Sequence, residues 1–150
     1  PVTAFIPGDW ITDTDEKINA YRLATQCVNN EELVQFASNL VDRYGTLPKS
    51  VESLIEVMKL KIVAKKCGFS RIKLSKPNVE LETMMDEPAF KLLRKGLENH
   101  LHARFIYKKG GRNATVTIRG LGIFDNDKIL DQLIDWLNIM NTQINNQNIN

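Results

Sequence analysis

Few side chains in this sequence suit catalysis. His100 and His102 are its only histidines, so any imidazole acid–base or nucleophile chemistry falls to those two. In a strand, their spacing would place both rings on one face and could begin a metal site, yet only Glu98 lies nearby as a third donor. They read more simply as two half-exposed histidines ahead of a strand. Cys27 and Cys67 sit among apolar neighbours on expected helices and read as core thiols. Gly120-Leu121-Gly122 could open a dinucleotide loop, but the third glycine of that pattern falls at Asp125, an anion where phosphates need N–H groups. They read as turn glycines. Neither a G-x-x-x-x-G-K-[ST] phosphate loop nor a G-x-S-x-G elbow occurs. The expectation is a chain with no catalytic residues, no metal and no cofactor.

Two charge features remain. Between Val57 and Val79 there is no acidic residue, while Lys59, Lys61, Lys65, Lys66, Arg71, Lys73 and Lys76 accumulate. A phosphate-binding surface has this composition, and Lys59, Lys66, Arg71 and Lys73 are the candidate nucleic-acid contacts. Against it, Lys65 and Lys66 fall in the last turn of a helix, where cations complement the macrodipole, and Phe69 is the lone aromatic available for stacking. A solvated basic face is the simpler reading. The second feature is Asp42-Arg43. Asp42 lies in the last turn of its helix, where a negative charge is disfavoured by roughly 0.3–1 kcal/mol. Either a local cation or cap compensates it, or the pair faces a partner.

The elements that must position these residues follow from periodicity. Val2 to Ile11 contains Pro7-Gly8 and reads as an extended lead-in. Thr12 or Thr14 caps a first helix, with Asp15 and Glu16 in its first turn. A second helix starts at Asn30, carries the stripe Leu33, Phe36, Ala37, Leu40, Val41 and Tyr44, and stops at Gly45 in a left-handed conformation. Pro48 opens a third helix that buries Val51, Leu54, Ile55, Met58 and Ile62 and ends at Gly68. The period then changes. Phe69, Ile72 and Leu74 with Val79, Leu81 and Thr83 predict one strand pair. Asp86-Glu87-Pro88 starts a short helix bearing Phe90, Leu93 and Leu97. Ala103–Tyr107 and Ala114–Ile118 predict a second pair around Gly110-Gly111. Asp125 or Asn126 caps a last helix carrying Ile129, Leu130, Leu133, Ile134, Leu137 and Met140.

The fold class expected is therefore α+β, an N-terminal three-helix segment followed by two β-hairpins, each followed by a helix. Composition agrees with one globular domain over residues 1–144: 150 residues, 43% hydrophobic, 25% charged. Residues 145–150 form a polar tail expected to fray. The first residue, Pro1, suggests a piece of a longer polypeptide. A net charge of +2 marks no dedicated nucleic-acid binder. No apolar run approaches the ~18 residues of a membrane span, so a cytoplasmic protein without a membrane partner is expected.

The residues now in view also form a family pattern. Ala4-Phe5-Ile6-Pro7-Gly8-Asp9-Trp10-Ile11, Tyr21-Arg22-Leu23-Ala24, Glu31-Glu32-Leu33 and Leu40-Val41-Asp42-Arg43-Tyr44-Gly45-Thr46-Leu47-Pro48 occur in that order. The chain resembles the C-terminal domain of bacterial transcription-repair coupling factors, densely over residues 4–68 and by element order beyond. The family commonly has Phe at Tyr44. It often has an acid where this chain has Asn39, one turn before Asp42 on the same face, so the charge here is lower. The resemblance implies a regulatory domain of a DNA translocase whose ATPase motor lies elsewhere. It implies docking on the UvrB-like N-terminal region of the same protein through Asn39, Asp42 and Arg43, which masks the UvrA-binding surface. UvrA and RNA polymerase would then be indirect partners, and DNA would be contacted through other domains.

Overall fold

The computed structural model describes residues 3–75 and 77–149, with the side chains of all of these except 127 and 146–149. Lys76, one of the basic positions above, lies outside the described residues, as does Asn150. The elements run α1 (Thr14–Gln26), α2 (Asn30–Tyr44), α3 (Lys49–Cys67), β1 (Phe69–Ser75), β2 (Asn78–Thr83), α4 (Glu87–Arg94), a 3-10 turn (Asn99–Arg104), β3 (Phe105–Lys109), β4 (Ala114–Ile118), a second 3-10 turn (Leu121–Ile123) and α5 (Asn126–Ile149). This is the expected α+β order. The chain divides into two compact units within α3, one spanning Val2–Ile62 and the other Val63–Asn150.

In the first unit a single apolar cluster joins Ile6, Ile11, Ala20, Ala24, Leu33, Phe36, Leu40, Val51, Leu54, Ile55, Met58 and Ile62. Burying each large aliphatic side chain contributes about 1.5–3 kcal/mol. The lead-in is tied down by backbone: Phe5 N–H donates to Ser50 O at 3.2 Å, and Ile6 N–H donates to the Tyr21 hydroxyl at 2.7 Å. Asp13, rather than Thr12 or Thr14, caps α1, its carboxylate accepting from Glu16 N–H at 3.0 Å. The carboxylate satisfies an orphan donor and places its charge at the positive helix end, which a threonine hydroxyl cannot do. Asn29 caps α2 in the same way through Glu32 N–H at 2.8 Å. Gly45 closes α2 at φ 89° and ψ −163°. The positive φ is as expected, but this ψ is not that of the left-handed helix; it belongs to a region open essentially to glycine alone.

In the second unit the two hairpins merge into one antiparallel sheet of order β1-β2-β4-β3. Its buried face collects Val79, Leu81 and Thr83 of β2, Ala114, Val116 and Ile118 of β4, and Phe105 of β3. A register shift between Phe69 and Arg71 explains why Phe69 and Ile72 are spaced by three, while Ile72 and Leu74 keep the spacing of two. Thr83 is fully buried and satisfied, donating to Gly68 O at 2.8 Å and accepting from Met85 N–H at 3.1 Å. Strand β3 begins at Phe105, two residues later than the alternation predicts, because the preceding segment closes a 3-10 turn from Phe105 N–H to His102 O. Asp86 caps α4 through Ala89 N–H at 2.9 Å. Helix α5 starts where expected and continues to Ile149, through the tract read as a tail. On it Trp136 is buried in place of Ile134, meeting Phe105 edge-on at 5.7 Å.

Candidate docking surface

Residues Asn39, Asp42 and Arg43 share the C-terminal end of α2, and all have exposed or largely exposed side chains. Spacings of three and four bring them onto one side of the helix. Asn39 Oδ1 accepts from Gln35 Nε2 at 2.9 Å. Among the described residues Asp42 has neither a hydrogen-bond nor an ion-pair partner. It caps nothing, and its placement against the dipole is not offset locally.

Arg43 behaves differently from its neighbour. Its guanidinium is paired with Glu16 of α1 and lies 5.5 Å from the centroid of the Tyr44 ring. The second Glu16 oxygen accepts from the Tyr44 hydroxyl at 2.9 Å, so one carboxylate joins both residues. Trp10 packs against Tyr44 with centroids 5.5 Å apart. Partial burial and the hydrogen bond to Glu16 push the Tyr44 phenol above its ordinary pKa, against the lowering effect of Arg43. Sequence reasoning assigned Glu16 only to the helix dipole and missed this contact. No local spacing relates residues 27 positions apart.

A sequence model of the TRCF domain matches residues 1–90. The chain belongs to the TRCF domain family. It is 33% identical over 78 residues to the transcription-repair-coupling factor of Bacillus subtilis (strain 168), covering 52% of this chain and 7% of that protein. With the transcription-repair-coupling factor of Myxococcus xanthus the identity is 36% over 62 residues, 41% of this chain and 5% of that one. The chain thus spans a small fraction of the length of the relatives it matches. The crystal structure of a C-terminal domain of transcription-repair coupling factor shares the fold at a TM-score of 0.72, with 16% identity over 95% of this chain and 89% of that one. The match in sequence is to the N-terminal part, and the likeness in fold extends over the strands and last helices.

The basic stretch of this TRCF domain is spread across both units. Lys59 belongs to the first, Lys66, Arg71 and Lys73 to the second. Lys59 Nζ is paired with Glu56 at 2.9 Å. Arg71 stands opposite Glu82 and Lys73 opposite Glu80, on the exposed face of the sheet. Such cross-strand opposite charges attract, so that face is mixed in sign. Lys66 is exposed near the end of α3.

The histidines do not share a strand face, since their segment is a 3-10 turn. His102 Nε2 lies 2.9 Å from Leu97 O, whereas His100 pairs with Glu98 at 3.3 Å. Among the described residues no group of three His, Cys, Asp or Glu side chains could hold a metal. Cys67 is buried, donates to Leu137 O at 3.2 Å and has its thiol pushed up to about 12 by burial. Cys27 is only half-buried, which corrects the core assignment for that thiol; burial and then Glu32 raise its pKa as well. No helix among the described residues is long and apolar enough to cross a membrane.

Proposed function

We propose that this TRCF domain is a non-catalytic regulatory module of a cytoplasmic transcription-repair coupling translocase. It docks on the UvrB-like N-terminal region of the same protein through Asn39, Asp42 and Arg43 and so masks UvrA binding. The observation that carries the reading is Asp42: a carboxylate at the negative end of α2, exposed, and unpartnered among the described residues. A cationic partner surface would supply the counter-charge that the domain itself does not. Arg43, held by Glu16, would present its remaining donors beside it. Family membership and the D-R-Y-G-x-L-P segment support this placement. RNA polymerase and DNA would be engaged by other parts of the parent protein, where nucleotide chemistry would also reside. The nucleic-acid reading of Lys59, Lys66, Arg71 and Lys73 is weaker, because Glu56, Glu80 and Glu82 compensate three of the four.

The test is a UvrA pull-down with the parent coupling factor at fixed salt. Truncating one partner of a desolvated pair costs about 2–5 kcal/mol, enough to open a closed state favoured by a few kcal/mol. Asp42→Ala should raise UvrA capture toward the level reached by deleting the domain. No unmasking on deletion would refute the regulatory role. Unmasking on deletion but not with Asp42→Ala would move the contact elsewhere.

A further inference from the structure

Cations gather a second time within the second unit, away from the docking surface. Residues 99–124 contain no Asp or Glu, yet carry Arg104, Lys108, Lys109, Arg112 and Arg119. Arg104 is engaged inside the fold, its Nη1 donating to Arg119 O at 3.1 Å and Gly120 O at 3.0 Å. Arg119 follows β4 at the far end of the hairpin, about 17 Å from the turn. The other three converge on the turn itself.

Lys108 and Lys109 end β3, and Arg112 lies between the strands. Gly110 N–H donates to Asn113 O at 3.0 Å, and a Cβ on Gly110 would meet that oxygen at 2.4 Å, so the turn is drawn tight between Lys109 and Arg112. At Gly111 a Cβ would meet nothing within 4 Å, which leaves the apex open. All three cations are exposed and, among the described residues, none has an ion-pair partner. Glu82, opposite Thr115 on β4, is two strand spacings from Lys108, roughly 10 Å, and stands against Arg71. At physiological salt that exceeds the Debye length of about 8 Å. The turn joins two strands, so these charges complement no helix dipole. Lysines on β3 could guard a sheet edge from pairing, but Arg112 lies outside that strand.

We propose that the β3–β4 turn contacts the phosphate backbone of double-stranded DNA. Successive strand residues face opposite ways, so Lys108 and Lys109 stand on either side of the tip with Arg112 at its apex. The three can straddle one sugar-phosphate strand. Unpaired bases are not the target: of the hairpin's two aromatic residues, Phe105 is buried and Tyr107 is stacked on Phe90, its hydroxyl donating to Met85 O at 2.7 Å. β4 is paired with β2 along its whole length, so the hairpin cannot enter a groove as a free two-stranded ribbon. A backbone contact without sequence preference is what remains. The choice of DNA rests on the proposed function, which sets the parent protein on that polymer; the turn adds a contact to those made by its other parts.

The test titrates the isotope-labelled 150-residue chain with a DNA duplex of about 12 base pairs, following the backbone amide resonances of Gly110, Gly111 and Arg112. They should shift saturably at about 50 mM salt, and neutralising three phosphates predicts an affinity about fortyfold lower at about 200 mM. Lys108→Ala/Lys109→Ala/Arg112→Ala should weaken binding about tenfold or more at the lower salt. Lys61→Ala/Lys65→Ala/Lys66→Ala removes the same charge from exposed positions of α3 and should change the affinity no more than about twofold. Equal weakening by both variants would mean that net charge alone attracts DNA, and overturns the proposal. So do unmoved turn resonances, tighter binding of single-stranded oligothymidine, or an equal response to polyglutamate. If the triple turn variant does not fold, Arg112→Ala alone should cut the salt slope by about 0.9, and an unchanged slope is the overturning result. The readout involves no UvrA, so a failure here leaves the docking surface standing, and a failure of UvrA masking leaves this contact standing.

Discussion

Arg43 in the first unit and Arg94 in the second make the same ring contact and end in opposite electrostatic states. Each guanidinium carbon lies 5.5 Å from an aromatic centroid, Tyr44 for one and Phe90 for the other. Arg43 keeps 65% of its side chain exposed and still has Glu16 as a counter-charge. Arg94 is half-buried, with Nε shielded from solvent, and among the described residues its hydrogen bonds are two long contacts to carbonyls. Water screens the first pair, so its worth is about 0–1 kcal/mol and its role is to orient Tyr44 and the end of α2. Low local polarity makes the unmet donor of the second group costly. A charge that is cheap to satisfy is satisfied inside the domain, and the costly one is not fully satisfied among the described residues.

The largest expected effect breaks the Arg94 side. Phe90 is 1% exposed, so Phe90→Ala should destabilise the chain by about 3–5 kcal/mol in denaturant titration. A loss under about 1 kcal/mol would show that the site collapses around the missing ring. On the Arg43 side, Gly45→Ala isolates a backbone effect, because an added Cβ meets nothing within 4 Å. The conformation alone should cost about 1–3 kcal/mol, and an unchanged midpoint would mean that α2 does not end there in solution.

Glu16→Gln sharpens the comparison by leaving Arg43 without its carboxylate, as Arg94 is. Stability should fall by no more than about 1 kcal/mol. The diagnostic change is in Tyr44. Its pKa is raised in the folded chain, so the folded state holds the phenolic proton longer than the unfolded one. The resulting stability is complete below the ordinary value of 10.0 and is lost as pH climbs through the folded value. Removing the Glu16 charge should lower the Tyr44 midpoint in ultraviolet absorbance titration and shrink that loss; an unmoved midpoint would remove Glu16 from the account. The smallest effect is that of Asp42→Ala, which relieves a misplaced charge and should stabilise the isolated domain by about 0.3–1 kcal/mol in thermal unfolding. A clear destabilisation would reveal an internal partner for Asp42 and withdraw the observation behind the docking surface.

Much of the fold was legible because it is local. The stripe from Leu33 to Tyr44 places α2, and its caps lie within one turn of the ends. Ala114–Ile118 alternates buried and half-buried residues over its whole length, as the sequence predicts. Where local signals compete, the reading slips: Asp13 outcompetes two threonines as a cap, and a 3-10 turn delays β3 to Phe105. The candidate interface residues were visible as a family segment, but their electrostatics were not. Asp42 and Arg43 read alike in the sequence, as opposite charges side by side that could face a partner, whereas in the fold Glu16 already holds Arg43 and leaves Asp42 alone among the described residues.

The sequence by itself determined the element types, most of their ends and which residues of each element are apolar. These depend on neighbours three or four apart in a helix and two apart in a strand. Only the tertiary structure decided which elements meet. Pairing β2 with β4 joins the two hairpins and fixes which strands lie at the sheet edges. Within the first hairpin, the register shift decides that Glu80 and Glu82 stand against Lys73 and Arg71, turning an apparently basic run into a mixed face. Glu16 meets Arg43 and Tyr44 across two helices, and Phe90, Arg94 and Tyr107 close one cavity from a helix and a strand. The physical reason is loop closure: such contacts form only after intervening chain is ordered, at an entropic cost repaid by burial of the whole core, and no short window of sequence records which pairing repays it best.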